Sequence, residues 1–220
     1  MSPDRAPDVP PDRAPDVPPD RAPDVPPDGA PDVPPDRALD VPPDGAPELI
    51  YAVVEPTEAK RADLREQLLE MWVDVTNAGG AVGFTPPADA TAVARTLDSQ
   101  LARVSAGTDL LGILRQNGTA VGMAFLVDGG SGLRRHWRTV LRLMVRPELQ
   151  GRGAGRLLLE GLHGTAADLG LEQLMLTTRG GTGVERFYER FGYTVVGRHP
   201  GAIRLAPGDD RDEIILIFRL

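Results

Sequence analysis

Cysteine is absent from the 220 residues. That excludes disulfides, zinc thiolate centres and a cysteine nucleophile. Lysine is almost absent as well, with Lys60 standing alone among basic residues that are otherwise arginine. The three histidines, His136, His163 and His199, are scattered without metal-ligand spacing, so no metal is expected. No apolar run approaches the eighteen or so residues of a membrane span, the best being Ala120 to Val127. A basic excess is missing too, which removes the electrostatic footprint of a nucleic-acid binder. Met1-Ser2-Pro3 opens neither a signal peptide nor a myristoylation site. The expectation is a cytoplasmic, metal-free protein with no nucleic-acid and no membrane partner.

What is present divides sharply near residue 48. The formal charge of −8 lies wholly in residues 1–48, and residues 49–220 balance to zero. Residues 3–10 read PDRAPDVP, and this octad recurs with drift through PDGAPELI at 43–50. Its prolines remove backbone donors and favour extended geometry. One valine per octad cannot bury enough apolar surface to offset ordering entropy. Residues 1–48 therefore read as a disordered octapeptide-repeat tail, and 49–220 as one globular domain.

Within that domain Leu49 to Val54 reads as a first strand. Leu64, Leu68, Met71, Trp72 and Val75 recur at helical spacing between Thr57 and Asn77. Val93, Leu97, Leu101 and Val104 mark a second helix, opened near Pro86-Pro87 and closed by Gly107. Asn117-Gly118 between two apolar runs is a hairpin signal. Trp137 to Val145 follows as a strand, then a helix from about Gly153 to Leu169. Leu174 to Thr178 reads as a buried parallel strand. Thr182 and Glu185 suggest a capping box that opens a short helix carrying Val184, Phe187, Tyr188 and Phe191, with Gly192 at its C-terminal end. Tyr193 to Val196 and Glu213 to Phe218 are the last strands. The fold class is mixed α/β in the order βααβββαβαββ.

Chemistry concentrates in Gln150-Gly151-Arg152-Gly153-Ala154-Gly155-Arg156, between a strand and a helix. Glycines admit close approach, the helix start offers free N–H groups and a positive dipole end, and two arginines add charge. This is a phosphate cradle. It lacks the Gly-Lys-Ser/Thr of a P-loop, and its Gly-x-Gly-x-Gly spacing is not the dinucleotide fingerprint. Together with Leu143-Met144-Val145-Arg146-Pro147 before it, the turn resembles the acetyl-CoA motif of the GCN5-related N-acetyltransferase (GNAT) superfamily. Glu185 to Tyr193, with its Phe187-Tyr188 pair, is similar to that family's later helix–strand segment. Gly80 to Phe84, Arg142 to Val145 and Val196 to Gly201 further resemble the tabtoxin-resistance type, which acetylates a small amine. Thr177 stands where that type has an acid, and Gly181 where many members have Asn.

The resemblance implies a mostly antiparallel sheet whose central parallel strands splay apart, with flanking helices. Acetyl-CoA would be the co-substrate, bound by Leu143, Met144, Val145, Gln150, Gly151, Arg152, Gly153, Ala154, Gly155 and Arg156. Tyr188 would be the general acid toward the departing thiolate. Asp74, Phe84 and Asp212 would border the acceptor. Asp74, Asp212, Glu213 and His199 are the candidates for a base, while Glu185 reads as a helix cap and His163 as an exposed helix residue. Asp74 and the acidic run Asp209 to Glu213 suggest a cationic small amine as acceptor. A protein or peptide acceptor and a non-catalytic acyl-CoA sensor stay open, as does a homodimer.

Overall fold

The computed structural model describes residues 48–220. Of the tail expected to be disordered, 1–48, residues 1–47 lie outside the described residues. Among the described residues seven strands form one sheet in the order β1-β2-β3-β4-β5-β7-β6. They are β1 (Leu49–Val53), β2 (Leu110–Gln116), β3 (Thr119–Val127), β4 (Trp137–Val145), β5 (Gln173–Arg179), β6 (Thr194–Ala206) and β7 (Asp209–Arg219). The helices are α1 (Ala62–Asn77), α2 (Ala90–Ser105), α3 (Ala154–Asp168) and α4 (Glu185–Glu189). Every pairing is antiparallel except β4 with β5. This is the mostly antiparallel sheet with a central parallel pair that the sequence led us to expect.

Helices cover both faces. The α1 and α2 stripes, including Leu68, Met71, Trp72, Val93 and Leu97, pack with Leu111, Ile113, Met123 and Phe125 of the sheet. On the other face Leu158, Leu159, Leu162 and Ala166 of α3 pack with Leu126, Val140, Leu174 and Leu216. The β2–β3 turn carries Asn117 at φ 51° and Gly118 at φ 83°, the two positive values a type I′ hairpin requires.

Three expectations are corrected. The helix expected from Thr57 is broken at Arg61, extended at φ −76° and ψ 130°, which leaves a separate 3₁₀ turn at Glu58–Lys60. Strand β5 is not buried on both faces: Leu174, Leu176 and Thr178 are buried while Thr177 is exposed. It also pairs antiparallel with β7 along its whole length, and with β4 at only three positions. The last two strands are longer than their apolar cores and make one hairpin, so the run Asp209 to Glu213 sits inside β7. Alternating charged residues hid the extended chain there.

Candidate active site

The β4–β5 seam is open. Trp137, Arg138 and Thr139 pair with Gln173, Leu174 and Met175, after which β4 continues to Val145 and β5 to Arg179 without pairing. A cleft of about 720 Å³ occupies this region. Thr139 to Val145 line it from β4 and Leu176 to Arg179 from β5. Gly80 to Thr85, Tyr188 and residues of the β6–β7 hairpin complete the wall. The expected cofactor residues Leu143, Met144, Val145 and Gln150 are on this lining, as is Phe84. Gln150 also donates its side-chain N–H to the Val145 carbonyl at 3.3 Å.

The glycine turn leads directly into α3. Gly151 and Gly153 hold φ values of 72° and 83°, which L side chains rarely adopt. A Cβ at either would meet nothing within 4 Å, so the space beside the backbone is open. The first backbone hydrogen bond of α3 runs from Leu157 N–H to Gly153 C=O at 3.0 Å, and among the described residues no side chain caps the helix. The N–H groups of Ala154, Gly155 and Arg156 are therefore free. Arg156 is tied to Glu160 at 2.8 Å, whereas Arg152 makes no ion pair among the described residues.

Of the three tyrosines, Tyr51 bonds Thr165 at 2.8 Å and Tyr193 bonds His163 at 3.2 Å. Tyr188 is 7% exposed, lines the cleft, and its hydroxyl has no hydrogen-bond partner among the described residues. Burial pushes that hydroxyl up to about 12, and it raises Tyr51 and Tyr193 as well. A phenol raised in the folded state ionises first in the unfolded chain. Its contribution to stability is whole below the unfolded value near 10 and is lost as pH rises through about 12. We expect melting temperatures to fall above pH about 10, and Tyr188→Phe to remove up to roughly 3 kcal/mol of that alkaline loss. Thermal melts of both proteins across this range check it; identical alkaline slopes would count against the raised phenol.

The remaining acids are largely neutralised. Arg146 contacts Glu70 at 2.9 Å and Asp74 at 3.4 Å. Arg198 holds Asp212 at 2.9 Å, Arg204 holds Asp210 at 2.6 Å, and Arg211 holds Asp209 at 2.5 Å. Neither Asp74 nor Asp212 is on the cleft lining, and His199 is exposed elsewhere. Glu213 is the one carboxylate on that lining. The capping box does not form. Thr182 donates to the Arg179 carbonyl at 2.8 Å, α4 has no side-chain cap, and Glu185 Oε2 is buried without a partner. His163, expected to be exposed, is half-buried and stacked on Phe218 at 4.2 Å. Ile203 to Leu205 and Arg142 are on the lining as well, the first without any sequence signal and the second named only within the stretch Arg142 to Val145, with no site role. A lone arginine in the apolar run Val140-Leu141-Arg142-Leu143-Met144-Val145 was the available signal for the second.

A model of the acetyltransferase (GNAT) family matches residues 61–193. The chain belongs to that family. The matched GNAT span runs from the cap of α1 through Tyr193, and so takes in the open seam, the glycine turn and Tyr188. Solved structures share the GNAT fold at low identity. A GNAT acetyltransferase of Streptococcus pneumoniae is 18% identical with a TM-score of 0.62, over 79% of this chain and 100% of the other. The yncA protein of Salmonella typhimurium, solved with its cofactor acetyl-CoA, is 16% identical at 0.61, over 79% and 94%. The ribosomal-protein-S18-alanine N-acetyltransferase of Escherichia coli is 20% identical at 0.54, over 78% and 94%. Among the described residues no helix is long and apolar enough to cross a membrane, and no cluster of three or more acidic or histidine side chains could hold a metal.

Proposed function

We propose that this GNAT protein is an acetyl-CoA-dependent N-acetyltransferase acting on a primary amine of a small molecule. The observation that carries the reading is the open β4–β5 seam, whose lining joins the start of the glycine turn to an unpartnered Tyr188 hydroxyl. The residues fit the co-substrate: free N–H groups and open space at the α3 start suit a pyrophosphate. Acetyl-CoA supplies an activated thioester that the amine attacks directly, with the thiolate as leaving group. Arg152 adds charge to the phosphate cradle. The β4 edge at Leu143 to Val145, which has no β5 partner, offers backbone groups to an extended arm.

Tyr188 holds its proton at neutral pH and can donate a hydrogen bond to the departing sulfur. A primary amine titrates near 10.4, so neutralising it at pH 7 costs roughly 4–5 kcal/mol. Glu213, the carboxylate on the lining, would take that proton through water. The small-molecule acceptor is supported by the cleft itself, a space of about 720 Å³ walled by Gly80 to Thr85 on its α1 side. Free thiol released from acetyl-CoA across an amine panel, with mass spectrometry of each acceptor, tests the reading. Release with small amines is expected. Acetyl-CoA binding with no release, or acetylation of peptides alone, would overturn it.

A further inference from the structure

Arg142 is built into the cleft wall in an unusual way. The β3–β4 register advances from Met123 opposite Met144 to Phe125 opposite Leu141, so β4 carries one extra residue there. Arg142 takes up that bulge at φ 58°, a left-handed conformation uncommon outside glycine, asparagine and aspartate. Its guanidinium lies over the Trp72 ring, 5.4 Å from the centroid. The Trp72 ring is fully buried and fixed in turn, since its Nε1 donates to the Val82 carbonyl at 3.0 Å. Phe84 meets the same ring edge-on at 5.7 Å. On another side Gly83, at φ 97°, leaves room that any Cβ would take from the guanidinium.

Nothing among the described residues answers this charge. Arg142 makes no hydrogen bond or ion pair among the described residues, and its Nε is sealed from solvent without a partner. Burial lowers its proton affinity, yet a guanidinium stays charged. A half-buried cation without a counter-charge is a standing cost that stacking on an aromatic ring offsets in part. The surroundings do not offset it either. Of the other two arginines on the cleft lining, Arg204 is held by Asp210, and Arg142 and Arg179 share the lining with the single carboxylate of Glu213. Arg142 also stands on the α1–α2 face with Trp72, whereas Tyr188 and α3 belong to the opposite core, so it is not part of the phosphate cradle.

We propose that Arg142 is the acceptor's carboxylate subsite, and that the acceptor is an amino acid or a close analogue carrying a carboxylate beside its amine. The proposal rests on the acetyltransferase reading above. A planar fork with free donors matches a carboxylate bidentately, and the aromatic platform holds the fork in one plane. This replaces the cationic acceptor suggested by the acidic run, because arginines already neutralise most of those acids and only Glu213 of the run reaches the cleft.

The test pairs the free amino acids with their amides, their decarboxylated amines and linear diamines. In wild-type protein, thiol release should favour the best amino acid over its amide by roughly 30-fold or more in kcat/KM. Arg142→Asn, which suits the left-handed backbone, should abolish that preference while the acetyl-CoA KM holds. Arg142→Lys keeps the charge without the fork and should retain a part of the preference. Melting temperature should hold or rise in Arg142→Asn, since an unanswered charge is removed; a fall in melting temperature with selectivity unchanged would make Arg142 a structural anchor and overturn the proposal. An equal loss of turnover with every acceptor would also overturn it. Thermal shifts of the wild type by amino acids against amides read the subsite without chemistry. Amino-acid shifts lost in Arg142→Asn, in a protein that releases no thiol, would sustain the subsite and sink the acetyltransferase reading; no difference between acid and amide in either assay would sink the subsite alone.

Discussion

Tyr188→Phe is expected to lower kcat by roughly 10²-fold and to leave acetyl-CoA affinity unchanged. Phenylalanine keeps the ring that packs edge-on with Phe187 at 5.1 Å and with Tyr193 at 5.5 Å. The hydroxyl has no partner among the described residues to lose, so the melting temperature near neutral pH should hold. The magnitude follows from two proton affinities. Burial sets the phenol at about 12, while a thiol sits near 8.5, so complete proton transfer would run uphill by about 5 kcal/mol. The hydroxyl then acts mainly as a hydrogen bond that strengthens while charge builds on sulfur, which places the loss at the low end of a general acid's share. The same raised phenol keeps its proton until pH about 11, so rates should show no alkaline decline from Tyr188 below that point. Tyr193→Phe is the contrast, since its hydroxyl bonds His163 and it is absent from the cleft lining. That variant should lose stability and keep its turnover. An acyl donor with a more acidic thiol should recover part of the rate in Tyr188→Phe. Full turnover in that variant, with saturating substrates and chemistry limiting, would remove Tyr188 from the mechanism.

Much of this architecture was legible because local and global preferences agree. Asn117-Gly118 read as a hairpin since both residues accept positive φ, and the α1 to α3 stripes match the faces they bury. The glycine turn was legible from its residue types, whereas Tyr188 sits on an apolar helix stripe and came only from the likeness of Glu185 to Tyr193 to the family's helix–strand segment. Failures arise where pairing overrides pattern. Leu174-Met175-Leu176 looked buried on both sides, yet the cleft leaves the Thr177 side of β5 open. Asp209 to Glu213 read as an acidic run ahead of the last strand, yet arginines on β6 and within the run compensate the charge of an extended strand. Thr182 and Glu185 had capping spacing, but Thr182 turns back to the Arg179 carbonyl. Arg142 was the deepest miss. A bulge that drives a non-glycine residue to positive φ depends on the β3 register, which sequence spacing does not carry.

Placing a side chain at Gly153 should separate cofactor binding from folding. With φ 83°, this position would strain a β-branched residue, so valine would mix a folding loss with a binding loss. Asparagine and aspartate tolerate left-handed backbone and differ from each other mainly in charge. Neither would meet protein atoms at Cβ, because nothing lies within 4 Å. Gly153→Asn is expected to weaken acetyl-CoA by more than about tenfold, by filling the space against the free N–H groups of α3. Gly153→Asp should weaken it by roughly a further tenfold at low salt, since a carboxylate then occupies the positive end of the helix in place of phosphate. That second gap should narrow as ionic strength rises, whereas the asparagine loss should not. Arg152→Ala removes an exposed charge and leaves the backbone donors, so its effect should be smaller and confined to low salt. Calorimetric titration with acetyl-CoA at two salt concentrations, beside thermal melts, provides the measurement. If both Gly153 variants melt like the wild type and bind acetyl-CoA equally well, the α3 start is not the phosphate site.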